Sequence, residues 1–248
     1  LFGFLAPNTQ AQEYAWAGGV GGAGGNDRGY SIAVDGSGNV YVIGYFENTA
    51  DFDPGAGTTN LTSAGGTDIF FAKYDANGAL VWAHKIGASG VDEGRGIKVD
   101  GSGNVYITGY FKGTADFDPG AGTTNLTSAG EADVFFAKYD TNGGLIWAKS
   151  VGGTGVDRGY DITLDASNNV YISGDFQVTA DFDPGAGTAN LTSQDTWDGF
   201  FAKYDANGDY VWAKGLGSLG TVVLNSIAVD GSGNVYITGN FQQIVDAD

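Results

Sequence analysis

Cysteine is missing from this chain, so neither disulfides nor thiol chemistry enter its fold. Methionine is missing too, and histidine occurs once, at His84. There are 4 prolines against 44 glycines, and the glycines lack the one-in-three period of collagen, which makes the chain turn-rich but not fibrous. No apolar run approaches the ~18 residues that a membrane-spanning helix needs. Positive charge is scarce: 11 Lys and Arg against 29 Asp and Glu leave a formal charge of −18. Such a surface repels nucleic acid and anionic membranes, both of which require basic groups to exchange for counterions. Even among the acids glutamate is rare, limited to Glu13, Glu47, Glu93 and Glu131. Aspartate, the acid of turns and compact cation-binding loops, carries the rest.

Core-forming residues are plentiful. Hydrophobic types make up 42% of 248 residues, with 15 Phe, 13 Tyr and 5 Trp, enough for one large β domain. The stretch Asp35-Gly-Ser-Gly-Asn-Val-Tyr41 returns at Asp100, at Asp165 with two changes, and at Asp230, each copy 65 residues after the last. A strict period of that length marks stacked modules that supply each other's cores. Within a repeat four strands are expected, over 31–35, 39–46, 68–75 and 80–86, joined at Gly36-Ser-Gly38 and Ala76-Asn77-Gly78 by the tight connections that hairpins need. Runs such as Val40-Tyr-Val-Ile43 and Ile69-Phe-Phe-Ala72 are apolar on both faces, so each sheet must be covered on both sides by its neighbours. Four-stranded antiparallel sheets stacked in that way predict an all-β fold, a β-propeller, with about 3.8 repeats present.

The boundaries follow from the period. Residues 13–21 are expected as an outer strand, then repeat one over 30–87, repeat two over 95–152, repeat three over 160–217 and a partial repeat four over 225–248. Residues 1–12 read as the remnant of a secretory leader, an apolar stretch ending in small residues at Thr9 and Ala11, and with no Met present they suggest a piece of a longer reading frame. Between second and third strands lies an excursion, Glu47 to Thr67, with Thr49-Ala-Asp-Phe-Asp-Pro-Gly-Ala-Gly57 at its centre; a rim hairpin and an ordered loop are both open for it. The 3.8 repeats allow either an open arc, the favoured reading, or a small ring closed by 13–20 pairing with the fourth repeat.

Gly66-Thr-Asp68 leading into Phe70-Phe-Ala-Lys-Tyr-Asp75, then Trp82, a Gly-rich link and Ile32-Ala-Val-Asp-Gly-Ser-Gly-Asn-Val-Tyr41, resembles the bacterial seven-bladed β-propeller repeat family. The resemblance covers nearly all the chain after residue 12. It implies secreted or surface-exposed bacterial proteins without assigned activity, and it supplies no catalytic residues.

Connections alternate between the two ends of a four-stranded blade, so the excursions and the Gly-rich links share one face. That face collects Asp51 and Asp53, Asp116 and Asp118, Asp181 and Asp183, with Asp27, Asp92 and Asp157 from the links. Alternate acids beside glycines could hold Ca²⁺, or could cap the N–H groups of their own turns. Trp16, Trp82, Trp147 and Trp212 recur at one strand position and are expected to pack blade on blade. Trp197 breaks the repeat, standing in Asp195-Thr-Trp-Asp198 where the other copies have Gly66-Thr-Asp68 and Glu131-Ala-Asp133, and is the candidate for ligand contact. His84 aligns with Lys149 and Lys214 and has no nucleophile or acid pair placed beside it. The expectation is a non-enzymatic extracellular module, a binding, adhesion or structural scaffold with no cofactor beyond Ca²⁺. Its partners would be an extracellular protein or glycan and the remaining blades of the same protein. The alternative is a polysaccharide hydrolase or lyase whose catalytic residues lie in blades outside this chain.

Overall fold

A computed structural model describes residues 16–217 and 220–242. Among them every regular element is a β-strand. Blade one comprises β1 (Arg28–Val34), β2 (Val40–Asp51), β3 (Asn60–Tyr74) and β4 (Leu80–Ile86), paired antiparallel in chain order. Blade two repeats this with β5 (Glu93–Val99), β6 (Val105–Asp116), β7 (Asn125–Tyr139) and β8 (Leu145–Gly153). Blade three has β9 (Arg158–Leu164), β10 (Val170–Phe176), β13 (Asp198–Tyr204) and β14 (Tyr210–Leu216), with the short strands β11 (Thr179–Asp181) and β12 (Asn190–Thr192) between. A two-stranded start of a fourth blade follows in β15 (Val222–Val229) and β16 (Val235–Phe241). The chain is a partial β-propeller.

The recurring Asp-Gly-Ser-Gly-Asn turn is held by its own first residue. Asp35 Oδ1 accepts the Ser37 and Asn39 N–H groups, both at 2.9 Å, while Oδ2 accepts Asn39 Nδ2 at 2.8 Å and the Tyr41 hydroxyl at 3.2 Å. The turn needs positive φ at its fourth residue: Gly38 sits at 82°, and in the third copy Asn168, a residue that tolerates this region, sits at 61°.

Blade faces bury each other as their two-sided apolar pattern requires. Tyr41, Ile43 and Phe71 of blade one form one core with Ile97, Val105, Ile107 and Tyr139 of blade two. Tyr106, Val134 and Phe136 on the other side of blade two join Ile162, Val170, Ile172, Phe200 and Tyr204 of blade three. Among the described residues no further blade packs on the outer faces of the first and last sheets, where Ile32 and Val34 are 63% and 61% exposed and Phe241 is 62% exposed.

The excursions are hairpins. Thr49 pairs with Thr62, Ala50 with Leu61 and Asp51 with Asn60, and the same register recurs from Thr114 and from Thr179. Phe52 folds beneath its hairpin, 4.8 Å from the Phe70 ring and 5.4 Å from Phe46, and its carbonyl accepts the Tyr74 hydroxyl at 3.1 Å. The aromatic between the two aspartates is thus the hairpin's anchor.

The expected outer strand over 13–21 is corrected in its described part. Residues 16–20 form no strand, and Gly21 makes only an isolated bridge to Asp51. Instead the Trp16 ring covers Gly78 in the β3–β4 turn, and Gly18 lies against Pro54. A strand there needs a neighbouring edge to pair with, and the segment finds a packing surface on blade one in its place. Residues 1–15, which include the leader-like stretch, and 243–248 fall outside the described residues.

Candidate functional site

The acids singled out from sequence all lie on the excursion and link face, where they clamp backbone. Asp51 Oδ1 accepts the N–H of Asp53 at 3.0 Å and of Thr59 at 2.8 Å; Asp53 Oδ1 accepts Gly55 N–H at 2.8 Å. Asp116, Asp118, Asp181 and Asp183 repeat these bonds. The link acids tie each link to the end of its blade's second strand. Asp27 accepts Gly22 and Glu47 N–H, Asp92 accepts Ala88 and Lys112 N–H, and Asp157 accepts Gly153 and Gln177 N–H. Asp27, Asp51 and Asp53 line one shallow depression with Gly19 to Gly22. Among the described residues no group of three or more His, Cys, Asp or Glu side chains is arranged to hold a metal ion.

Of the four recurring tryptophans, Trp82 and Trp147 sit at blade junctions. Trp82 lies over Gly143 of blade two and donates its Nε1–H to the Thr141 carbonyl at 3.3 Å; Trp147 lies over Gly208 of blade three. Trp147 also meets Tyr106 and Phe136 edge to face, at 6.3 and 5.8 Å, and Trp212 does the same with Tyr171 and Phe201.

At the same junctions, buried carboxylates converge in pairs that the sequence reading missed. A methyl built on Gly152 would lie 2.8 Å from both Asp133 Oδ1 and Asp157 Oδ2, and Gly87 relates Asp68 and Asp92 in the same way, at 2.9 Å each. All four aspartates are buried, and Asp68 Oδ1 and Asp133 Oδ1 accept no hydrogen bond. Burial penalises the charged form, pushing Asp92 and Asp133 up to about 6 and Asp157 up to about 7.

A different geometry occupies the inner strands at this face. Each inner strand carries a β-bulge that leaves one residue out of register: Tyr30 between Gly29 and Ser31, Arg95 between Gly94 and Gly96, Tyr160 between Gly159 and Asp161, and Asn225 between Leu224 and Ser226. The bulge brings backbone against backbone. A Cβ on Gly44, Gly109, Gly174 or Gly239 opposite would fall within 2.0 Å of a carbonyl oxygen, so glycine is required there in every repeat. The displayed residue, by contrast, changes from Tyr to Arg to Tyr to Asn.

Around these bulges the repeats differ most in chemistry. Positions 28, 93 and 158 hold Arg, Glu and Arg; positions 45, 110 and 175 hold Tyr, Tyr and Asp. The chain has three arginines, Arg28, Arg95 and Arg158, and all three are here. The Arg95 guanidinium stacks on Tyr30 at 3.9 Å, stands 5.5 Å from both Tyr110 and Tyr160, and pairs with Glu93 at 2.8 Å. One side chain thereby touches rings of three blades. Arg158 lies 4.3 Å from the Trp197 ring and 4.0 Å from Asp175 Oδ2, which also accepts the Tyr160 hydroxyl at 3.0 Å. Burial pushes Asp175 up to about 6 and Tyr160 up to about 12. Trp197, the one ligand candidate read from sequence, is therefore part of this cluster. Its companions were visible as departures from the repeat at equivalent positions.

Comparison with known proteins agrees with the fold. Residues 20–45, 81–113 and 211–240 match the family model described as Beta-propeller repeat. An uncharacterized WD repeat-containing protein of Acanthamoeba polyphaga mimivirus is 27% identical over 187 residues, covering 66% of this chain and 13% of the relative. The regulatory protein FlaEY of Caulobacter vibrioides is 26% identical over 199 residues, covering 79% of this chain and 19% of the relative. The chain thus spans less than a fifth of the length of either.

Proposed function

We propose that this chain, a run of β-propeller repeats, is a non-enzymatic binding module whose ligand face is the arginine and aromatic surface at the bulged ends of its inner strands. One observation carries the reading. Every blade keeps the bulge and the glycine that permits it, yet the displayed side chain varies among Tyr, Arg and Asn. Bulges re-aim side chains beside functional sites, and a repeat that served packing alone would hold the displayed residue as constant as the glycine.

The acids of the rim are not needed as ligands in this reading, since each already accepts backbone N–H groups, through Oδ1 in Asp51 and Asp53 and through both oxygens in Asp27. An extracellular setting, with adhesion or scaffolding as the physiological role, belongs to the same proposal and rests on the leader-like residues 1–12. Binding to glycan and extracellular-protein arrays tests it, comparing the wild type with an Arg28→Gln/Tyr45→Ala double variant. Binding that the double variant loses supports the face; binding that it keeps moves the function elsewhere. Product release from a polysaccharide panel would replace the binding reading with that of a hydrolase or lyase.

A further inference from the structure

Resting on that reading of the face, we propose that it takes a carboxylated sugar residue, with the carboxylate between Arg28 and Arg95 and a C–H face of the ring against Tyr30 and Tyr45. Arg28 is exposed, and among the described residues it has no carboxylate partner; its polar contact is the Tyr30 hydroxyl at 3.4 Å. Its guanidinium stands 5.3 Å from the Tyr30 ring, on which Arg95 stacks at 3.9 Å. Two like charges thus share one tyrosine, although Tyr30 and Tyr45 outweigh the repulsion from Arg95 at Arg28 and hold its value above the ordinary one. A bound anion would sit beside both charges and complete the fork geometry that the guanidinium of Arg28 offers to a carboxylate.

The rings supply the second half of the site. Tyr30 and Tyr45 are half-buried, 5.8 Å apart and inclined at 49°, which leaves an angled aromatic surface beside Arg28. Aromatic faces of that kind accept the C–H side of a pyranose, with the polar groups fixing its orientation.

Charge limits the ligand to one or few anionic groups. Within the cluster, Arg28, Arg95 and Arg158 face Glu93 and Asp175, and Glu47 stands nearby with its carboxylate accepting the Asn26 N–H at 3.2 Å. The chain as a whole carries −18. A polyanion would meet that field along its length, whereas a single carboxylate meets the local cations alone.

The test titrates the chain with sodium glucuronate, glucose, heparin and an acetylated dipeptide with a free C-terminus, following tyrosine ring signals by NMR. Glucuronate should bind saturably, at least about tenfold more tightly than glucose or heparin, and Arg28→Gln should weaken it about tenfold, with Arg28→Lys between. Because Arg28 is exposed, these variants are expected to melt as the wild type does. Equal binding of glucuronate and glucose, or unchanged affinity in Arg28→Gln, overturns the carboxylate assignment. Tighter binding of the dipeptide overturns the sugar. If arrayed ligands still bind this face in either case, the binding module survives; if nothing in the arrays or the titration binds, the broader reading fails as well.

Discussion

The paired carboxylates at the blade junctions make stability depend on pH in an unusual direction. Asp133 and Asp157 have folded pKa values of about 6 and about 7, both above the ordinary aspartate value of 3.8 that the unfolded chain approaches. Between those values the folded state holds more protons than the unfolded state, so stability falls as pH rises. Their contribution is fully present below about pH 4 and is lost as pH passes through 6 to 7. Asp92, at about 6, acts in the same sense. The turn-capping carboxylates oppose this at low pH. Accepted hydrogen bonds hold Asp35, Asp75, Asp100, Asp165 and Asp230 below the ordinary value, so their contribution is lost as pH falls through their folded values. Maximum stability is therefore expected near pH 4 to 5.

Asp133→Asn isolates the effect. Asp133 Oδ2 accepts the Ala129 N–H at 3.0 Å, which an amide oxygen can replace, while Oδ1 has no donor and faces Asp157. An amide there removes the charge that burial disfavours at Asp133 and its repulsion on Asp157. A shift from 3.8 to about 6 corresponds to about 3 kcal/mol at full ionisation. Allowing for relaxation and solvent around the joint, a gain of about 1–2 kcal/mol at pH 8 is expected, falling to about half of that at pH 5 because the unfolded carboxyl is already ionised there. Urea unfolding at the two pH values measures it. A variant less stable than wild type at pH 8, or a wild type that gains stability from pH 5 to 8, would refute the reasoning.

Three further perturbations bear on other parts of the fold. Trp147→Ala, which removes a half-buried ring from the blade two–three junction, should cost about 2–4 kcal/mol, and a neutral thermal melt would show the row to be dispensable. Val178 holds φ 58° where the other repeats have Asn48 at 59° and Gly113 at 85°, so Val178→Gly should stabilise by about 1 kcal/mol; a loss would mean the backbone is unstrained there. Calcium should give no calorimetric heat, because Asp51, Asp116 and Asp181 each already accept two N–H groups through one oxygen; heat abolished by Asp53→Asn would restore the rim as a cation site.

The period of 65 made the blades legible because turn and strand residues repeat together, and their spacing leaves one arrangement of strands. Doubly apolar runs at Val40–Ile43 and Ile69–Ala72 foretold buried sheets because only neighbours can cover both faces. The segment at 13–21 carried the same Trp-Ala signature as β4 and β8, but pairing depends on an available edge, which no local pattern encodes. Asp68 and Asp133 passed as ordinary polar residues at the start of strands. Their partners Asp92 and Asp157 lie 24 residues away and meet them only when two blades dock. The arginine surface was missed for a different reason. A repeat is recognised by what its copies share, whereas Arg28, Tyr30, Arg95, Arg158 and Asp175 are places where the copies differ, and only the bulge geometry shows that those places adjoin.

Hydrogen exchange with the tightest-binding partner from the arrays tests the central claim most directly. Binding at the bulged face predicts slowed exchange in 28–32, 93–97 and 158–162, with the outer strands β4, β8 and β14 unchanged. Protection confined to those outer strands, or to the opposite turns at Asp35, Asp100 and Asp165, would contradict it.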